Sequence, residues 1–460
     1  MGVCIKIQYK IGLMSEMKKL GLYWFVNDLR LHDLAPLRAL AGRVDQLLCV
    51  ACVDPALLRS SPHILGDAPI SSQRQLFLED SLAELDHSLN KLGQRLLICY
   101  SSPIKGIGDL LANYSVDEVY RSRHPGSYER SQWQTLKRYF PSTQFQEMDS
   151  HTLFAMDALP FAPAALPPTF SQFRKAVAKL RVPGPLAAIS ELPPPPADLP
   201  PHTHCQVANS YQEFSFNGGE AAGLEHARSY FGSHWPSNYK LLRNDLNRWH
   251  HSTKFSPWLA LGCVSSREIA AQLRDYEKRC GANDSTEWIY VELLWREYFQ
   301  WYAHRHGNDL FRFQGIKQRK PLTSFYPERF RAWSLGKTPW PLVNACMHQL
   351  NETGYMSNRG RQIVASCYVH ELQLDWRYGA AYFEQQLIDY DMASNWGNWQ
   401  YLAGVGADPR GHRHFDLEKQ TRQFDPGGEF IERWRGLESV AAKDSQDMVG
   451  WPCGGEPESQ

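Results

Sequence analysis

Five short strand-like runs recur through the first third of the chain, and they restrict the fold more than any other feature. The runs are LYWFV (22–26), QLLCVACV (46–53), RLLICY (95–100), DEVYRS (117–122) and TQFQEM (143–148). Two of the stretches between them, Ser71–Leu92 and Ser127–Phe140, have helical periodicity. Apolar strands that alternate with helices predict a doubly wound parallel sheet with both faces covered. We therefore predict an α/β domain over residues 21–150.

The pattern changes after residue 150. Residues 151–215 are rich in proline and include Pro193–Pro196, which predicts an extended interdomain linker on the surface, outside the core. Residues 216–435 predict an all-helical domain. Its helices are expected at Ser265–Arg279, Thr286–His306, Pro341–Thr353, Gly360–Leu372 and Ala380–Tyr390. Residues 1–20 and 436–460 are expected to be a disordered leader and tail.

Composition and charge exclude several classes of protein. The 49 basic residues equal the 49 acidic ones, so nucleic-acid binding would need a local basic groove. No apolar run of 18 residues and no signal-peptide pattern are present, so we expect a cytoplasmic protein without a membrane span. The ten cysteines are expected to be reduced thiols. Cys49 and Cys52 lie in an apolar run and His202–Cys205 lacks a second ligand cluster, so no metal site is predicted.

Three groups of polar and aromatic residues in the second domain are spaced to share helix faces. They are Glu292, Trp295 and Arg296; Asn358 and Arg361; and Asp391, Asn395 and Trp399. The last group shares a face only if Gly397 does not interrupt the helix. Buried carboxylates and guanidinium groups are costly unless they are paired. Each group therefore predicts either an internal ion-pair network or a pocket for a large polar cofactor.

A hydroxyl-rich stretch precedes one of the helices. Ser252, Thr253, Lys254 and Ser256 combine hydroxyls and a cation with the free N–H groups of a helix start, which suits a diphosphate. Ordinary helix capping by a Ser-Pro sequence is the alternative.

Several long motifs of the chain resemble the photolyase/cryptochrome family. TKFSPWLALGCVSSR (253–267) is similar to the family's flavin-phosphate motif, and ELLWREYF (292–299) to its ELxWREF helix. LYWFVNDLRLHDLAPL (22–37) is similar to its first strand and turn, and residues 337–406 to its most specific block. The likeness extends from about residue 21 to residue 435. It implies an α/β antenna domain and a helical domain that holds a U-shaped FAD.

The resemblance implies flavin-binding roles for individual residues. Those implied to hold the diphosphate and ribityl parts are Tyr239, Thr253, Lys254, Phe255 and Ser256. Those implied to line the cavity or to contact the rings are Trp295, Arg296, Asn358, Arg361, Asp389, Asp391 and Asn395. Arg361 is implied to pair with Asp389. Asn395 is implied to lie opposite flavin N5, where a neutral amide can donate or accept a hydrogen bond.

Two positions indicate a branch of the family. Gln362, in NRGRQ, stands where cyclobutane-dimer photolyases usually have Met, and Tyr401, in NWQY, stands where they usually have Trp. Both resemble the DASH cryptochromes, which implies repair of pyrimidine dimers in single-stranded DNA, where no lesion has to be flipped out of a duplex. Glu292 is implied to bond the dimer, and Trp295, Gln362 and Tyr401 to line the lesion pocket.

The resemblance also implies a chain of tryptophans for electron transfer to the flavin. Trp399 and Trp376 match its first two members. The third would fall at Leu322 or Thr323, and neither is redox-active. The residues that could replace it are Trp301, Tyr326 and Trp340, and a chemical reductant is the other alternative.

An antenna chromophore is expected in the first domain, and the family's usual one is a folate. Glu129, in GSYERSQW, resembles the carboxylate that binds the pterin ring, although a surface glutamate is the plain alternative. We expect a monomer that acts on DNA containing pyrimidine dimers. Two other functions stay open: a blue-light photoreceptor that signals through a partner, and a flavin-bound nucleic-acid-binding protein without repair activity.

Overall fold

The computed structural model describes residues 18–56, 58, 70–199, 216–408 and 413–438. The first 17 residues, the chain after residue 438 and the His202–Cys205 segment lie outside these ranges.

A five-stranded parallel sheet forms the first domain. Its strands are β1 (Leu20–Phe25), β2 (Gln46–Cys52), β3 (Leu96–Cys99), β4 (Glu118–Ser122) and β5 (Gln144–Met148), in the order β3-β2-β1-β4-β5. Each strand coincides with one of the five runs. The helices are α1 (Ala35–Ala41), α2 (Ser72–Asn90), α3 (Pro103–Asn113) and α4 (Ser127–Tyr139). The parallel pairing and the helix alternation confirm the predicted fold class.

Both faces of the sheet are buried at the central strand β1, whose successive side chains point to opposite sides and are all buried. Leu22 and Trp24 of β1 pack with Ile107 of α3 and Trp133 of α4 on one face. On the other face, the β1 residues Tyr23 and Phe25 belong to a core that continues through α1 and α2 into the helical domain. One hydrophobic core therefore joins the two domains.

The proline-rich connector takes part in that core, so the prediction that it lies outside was wrong. It contains a helix, α5 (Phe170–Val177). Its buried core residues are Leu153, Phe154, Leu159, Leu166, Phe170, Phe173, Val177, Val182 and Ile189. The apolar residues of α5 are three and four positions apart and face inward. Residues 200–215 lie outside the described ranges.

Twelve helices form the described part of the second domain. They are α6 (Glu220–Phe231), α7 (Tyr239–Leu242), α8 (Ser256–Ala260), α9 (Ser266–Cys280), α10 (Asp284–His306), α11 (Pro327–Ser334), α12 (Pro341–Thr353), α13 (Asn358–Ser366), α14 (Trp376–Gln386), α15 (Met392–Leu402), α16 (Leu417–Phe424) and α17 (Glu429–Arg433). The structure confirms the expected all-helical domain. Helix α12 has the predicted bounds, and α10 ends at Gly307, as predicted.

Four of the five predicted helices have different bounds: α9 and α10 differ by one or two residues at an end, and two others differ by more. The expected helix Gly360–Leu372 is α13 followed by a π-helical turn over Cys367–Glu371. The helix expected at Ala380–Tyr390 begins four residues earlier, at Trp376, because the Asp375 side chain accepts a bond from the Arg377 N–H and caps it, and it ends four residues earlier, at Gln386. These shifts matter for the site because α14 carries Trp376.

Helix α15 continues through Gly397, so Asn395 and Trp399 do share its face. A Cβ at Gly397 would lie 2.4 Å from a ring carbon of Phe299. The glycine therefore allows α15 to approach α10 closely.

None of the helices in the described ranges is long and apolar enough to cross a bilayer. Over the same ranges, no three His, Cys, Asp or Glu side chains group as metal ligands. Cys49 is buried and Cys52 is half-buried, both as free thiols.

Candidate functional site

Helix α10 presents Glu292 in a cleft beside α7. The Glu292 carboxylate forms an ion pair with Arg243 and accepts a 3.0 Å bond from the Trp288 indole N–H. About a third of its side chain (32%) is exposed. Burial raises the pKa of Glu292, and Arg243 acts in the opposite direction. Burial and the nearby Glu292 also raise the pKa of Tyr239, the first residue of α7, well above its ordinary value. Helix α7, which carries Tyr239, packs against α10.

Arg296, one turn further along α10, ties three segments together. It donates to the His151 carbonyl at 2.6 Å and to the Leu259 carbonyl at 3.2 Å. Its guanidinium group is 3.8 Å from the carboxylate of Asp391. Asp391 caps α15 by accepting from the Ser394 N–H at 2.7 Å. These partners fix the start of α15 against α10.

Arg361 and Asp389 form the ion pair that the resemblance implies. One guanidinium nitrogen of Arg361 is 2.7 and 2.9 Å from the two Asp389 oxygens, and another donates to the Met356 carbonyl at 2.9 Å. The Asp389 side chain is 1% exposed, whereas that of Arg361 is 24% exposed. The buried Asp389 carboxylate is thus paired with an Arg361 side chain that is partly accessible to solvent.

Asn395 has a fixed amide plane because its Nδ2 donates to the Ala380 carbonyl at 2.9 Å. The residue is buried on α15, one turn after its Asp391 cap. Asn358, in contrast to the buried Asn395, is exposed. It is the first residue of α13, after the capping residue Ser357.

The structure of the hydroxyl-rich stretch, residues 252–256, agrees only in part with the prediction of a helix start that binds a diphosphate. Helix α8 starts at Ser256 but is five residues long, and its capping residue, Phe255, makes no side-chain capping bond. One helical turn carries little macrodipole, so α8 offers an anion little of the attraction that the sequence predicted for a helix start. Phe255 is buried against the rings of Tyr230 and Phe231. The Thr253 carbonyl is 2.8 Å from His226 Nε2.

Lys254 and Arg361 share a ring contact, since both cations lie near the ring of Tyr355. The Lys254 ammonium group is over the rings of Trp249 and Tyr355, 5.5 and 4.8 Å from their centroids. It lines a cavity of about 560 Å³ to which none of Glu292, Trp295, Arg361 and the remaining predicted flavin residues contributes.

Aromatic rings surround Trp295 on α10. Its indole stacks on Phe170 of α5, with centroids 3.7 Å apart and planes at 10°, and the Tyr401 ring meets it edge-on at 6.0 Å. Arg413 bonds the Tyr401 hydroxyl and lies 4.5 Å over its ring. Gln362 is half-buried on α13. Phe170 was missed because the connector was expected to be outside the core.

Trp399 and Trp376 are both buried, and α14 lies against α15. The Trp399 ring is 6.2 Å from the Trp333 ring, and Trp376 is 5.9 Å from Trp396. The sequence analysis did not identify Trp333 or Trp396 as neighbours of these residues. Only their residue type could have indicated it. Leu322, where the third member of the chain would fall, is 98% exposed. Among the residues that could replace the third tryptophan, Trp301 is buried, and its indole N–H donates to the Glu297 carboxylate at 2.7 Å.

Glu129 lies in the first turn of α4, at the carboxyl end of β4. Ligands of doubly wound sheets bind at this edge, near the point where the strand order reverses. The Glu129 carboxylate is 3.5 Å from His124 Nδ1. Burial alone would raise the pKa of Glu129, but His124 and Arg121 lower it to about 2. The neighbouring Tyr128 hydroxyl donates to Asp54 at 3.1 Å.

Comparison with known proteins agrees with this arrangement. Residues 21–197 match a family described as DNA photolyase, and residues 288–449 match one described as the FAD binding domain of DNA photolyase. Cryptochrome DASH of Vibrio parahaemolyticus is 53% identical, over 95% of this chain and 97% of its own length. Cryptochrome DASH of Idiomarina loihiensis is 50% identical, over 97% of this chain and 99% of its own. The crystal structure of a Synechocystis sp. cryptochrome superimposes with a TM-score of 0.85 at 36% identity, covering 93% of this chain and 91% of that one. The chain therefore belongs to the photolyase/cryptochrome family and, within it, to the DASH cryptochromes.

Proposed function

We propose that the protein repairs cyclobutane pyrimidine dimers in DNA under blue or near-UV light, that it uses FAD, and that it prefers single-stranded DNA. The observation that carries the proposal is the grouping on α10. A partly exposed carboxyl, Glu292, lies one turn from Trp295, which stacks on Phe170 and meets Tyr401. Such a pocket offers a flat apolar wall and one polar group to a pair of linked bases.

The residues present fit FAD by the chemistry of their donors. The hydroxyls of Tyr239, Thr253 and Ser256 suit phosphate and ribityl oxygens, and Arg361 with its buried partner Asp389 offers both donors and acceptors to a ring edge. Asn395, with its amide plane fixed, would face flavin N5. When bound and reduced, FAD supplies a photoexcited electron, and the protein supplies orientation and electrostatics.

Glu292 would hold the dimer by donating a proton in a hydrogen bond to a base carbonyl. Burial raises the pKa of Glu292 and favours the protonated form, whereas the ion pair with Arg243 favours the ionised form. Arg243 and Trp288 fix the carboxyl in place from the protein side. A protonated carboxyl so positioned can also stabilise negative charge that develops on the bases.

The strand preference follows from the cost of extracting the lesion. Flipping a dimer out of a duplex costs a few kcal/mol, and a single strand does not require it. Tyr401 and Gln362 would form the rim of the pocket, and the Tyr401 hydroxyl is already bonded to Arg413. The Tyr401 hydroxyl is therefore less available to bind a flipped nucleotide, which favours the single strand.

A folate antenna would bind near Glu129. The low pKa of about 2 keeps this carboxylate ionised at neutral pH, so it can accept two N–H bonds from a pterin ring. Its position at the carboxyl edge of the sheet is the usual one for a ligand of this fold.

The test is illumination of the reduced, FAD-loaded protein with a single-stranded oligonucleotide that carries one thymine dimer. Dark, duplex and undamaged samples are the controls. We expect light-dependent repair of the single strand, little repair of the duplex, and reduced repair by Glu292→Ala, which removes the hydrogen bond to the base. Absence of repair on either substrate by protein that retains reduced FAD would refute the proposal.

A further inference from the structure

Two cysteines lie side by side at the carboxyl ends of neighbouring strands in the first domain. Cys52 is the last residue of β2 and Cys99 is the last residue of β3, and the parallel pairing of the strands makes them register partners. Both are half-buried free thiols. The flavin, lesion and antenna roles proposed above use neither residue.

The sheet separates Cys52 from Cys49, although the sequence spaces these two residues as a CxxC motif. Side chains three positions apart on a strand point to opposite faces. Cys49 is buried in the core that continues into the helical domain, whereas Cys52 and Cys99 pack against the cluster on the other face. The thiol that neighbours Cys52 is therefore Cys99, which is 47 positions away in the sequence.

The spacing of the two backbones suits a disulfide. Neighbouring strands of a sheet are about 4.7–4.9 Å apart, which is within the Cα–Cα range of about 4.4–6.8 Å found for disulfides. Residues directly opposite each other on neighbouring strands also point to the same face. The Cys52 and Cys99 side chains are already in hydrogen-bond contact. A bond between their sulfur atoms therefore requires rotation of the side chains and not movement of the strands.

The contact makes the two thiols chemically unequal. The Cys52 thiol donates to Cys99 and lowers the pKa of Cys99, although burial acts in the opposite direction. The same contact, together with burial, raises the pKa of Cys52. Because the thiolate is the nucleophilic form, Cys99 is the thiol that reacts first, while Cys52 keeps its proton.

Helix α3 packs closely against Cys99. A Cβ on Gly106, near the start of α3, would lie 2.8 Å from the Cys99 Cβ and 3.3 Å from its Sγ, so the glycine permits this approach. The N-terminal end of a helix favours a nearby thiolate. Since Cys99 is only half-buried, a small oxidant can still reach its sulfur.

We propose that Cys52 and Cys99 are an oxidative modification site, at which hydrogen peroxide converts the two thiols into a reversible disulfide. The Cys99 thiolate attacks one peroxide oxygen, the O–O bond breaks and hydroxide leaves, so that Cys99 becomes a sulfenic acid. The Cys52 sulfur then attacks the Cys99 sulfur, the S–O bond breaks, and the hydroxyl group leaves as water with the Cys52 proton. The two cysteines lose two electrons in total, and the peroxide is reduced to two molecules of water.

The test is peptide mapping of the full-length, FAD-loaded protein after exposure to hydrogen peroxide and alkylation of the remaining thiols. Trypsin cleaves after lysine and arginine, so it releases Cys52 in residues 44–59 and Cys99 in residues 96–105. We expect a disulfide to join these two peptides in the treated protein and both peptides to be free in the untreated protein. Dithiothreitol should restore the two free peptides.

Cys49→Ala is the matched control, because Cys49 lies on the same tryptic peptide as Cys52 but on the opposite face of the sheet. This variant should keep the cross-link, whereas Cys52→Ser should abolish it. The sulfenic-acid reagent dimedone should label Cys99 in Cys52→Ser and leave Cys52 unlabelled in Cys99→Ser. Circular dichroism of the variants should match that of the wild type, which checks that the fold is retained.

Two results would overturn the proposal. One is the absence of the cross-link at a peroxide dose that oxidises the exposed thiol of Cys280. The other is a cross-link that persists in Cys52→Ser, because Cys49 would then be the partner of Cys99. Dimedone labelling of Cys52 in place of Cys99 would refute the order of attack.

Discussion

The contact between Gly379 and Trp399 can be tested by adding a single methyl group. A Cβ built on Gly379 of α14 would lie 2.4, 2.6 and 3.0 Å from three carbons of the Trp399 ring. These distances are well inside van der Waals contact. The Trp399 ring cannot easily retreat, because Phe383 and Tyr368 hold it at centroid distances of 5.2 and 5.6 Å. Gly379→Ala should therefore displace Trp399 or separate α14 from α15.

The expected change in the free energy of unfolding follows from two opposing effects. Overpacking of a filled core costs about 1–3 kcal/mol. Alanine is preferred to glycine in a helix interior by up to about 1 kcal/mol, which offsets part of that cost. A clash with three ring atoms belongs at the upper end of the range, so we expect Gly379→Ala to lose about 1–2 kcal/mol.

The assay is urea unfolding followed by circular dichroism and tryptophan fluorescence. Gly108→Ala is the control, because Gly108 lies inside α3 and an added Cβ would meet only Phe140, at 3.8 and 4.0 Å. That variant should gain up to about 1 kcal/mol. Adding Trp399→Phe to Gly379→Ala should make the glycine substitution less costly. If Gly379→Ala is as stable as the wild type, the close packing of Trp399 on α14 is wrong.

Three further perturbations have definite expected outcomes. Arg361→Met leaves the buried Asp389 carboxylate without its partner, so the free energy of unfolding in urea should fall by about 3–5 kcal/mol and FAD should be released on dialysis. Arg361→Lys should be less affected. If Arg361→Met is as stable as the wild type, the pairing is contradicted. The pKa of Glu129, about 2 when folded, is below the unfolded value of about 4.3, so its ionised form stabilises the protein above that value and the contribution is lost as pH falls through 2. The stability difference between wild type and Glu129→Gln should therefore shrink from pH 5 to pH 2, and a constant difference would exclude this role. Phe170→Leu removes the ring beneath Trp295 and should cost at least about 0.5–1.5 kcal/mol and alter Trp295 fluorescence, whereas Phe161→Leu, which does not touch Trp295, should leave the fluorescence unchanged.

Local periodicity was sufficient to predict the sheet. All five runs form strands. The continuous apolar runs of β1 and β2 are typical of strands covered on both faces, whereas the runs of β4 and β5 are more polar and β5 is partly exposed. Helix ends were predicted where one residue determines them, as Gly307 does for α10. They were missed where a side-chain cap or a change of helix type intervenes, as at Asp375 and at Cys367–Glu371.

Within the candidate site, spacing predicted which residues share a face but not what they touch. Glu292, Trp295 and Arg296 do lie together on α10. Their partners, among them Arg243 and Phe170, are distant in sequence, and no pattern in a single chain connects them. The implied pairing of Arg361 with Asp389 came from family resemblance, since residues 28 positions apart share no helical period.

The error about the connector has a physical lesson for the site. Proline content indicates an extended backbone, but extension does not prevent burial of the apolar residues between prolines. Three contacts join the connector to α10. The His151 carbonyl accepts a hydrogen bond from Arg296, and the Leu153 N–H donates to the Glu297 carboxylate at 2.7 Å. The Phe170 ring stacks on Trp295. Since these contacts involve three consecutive residues of α10 and include two predicted site residues, the connector holds the face that presents Glu292. A segment that composition assigns to the surface is thus part of what positions the pocket.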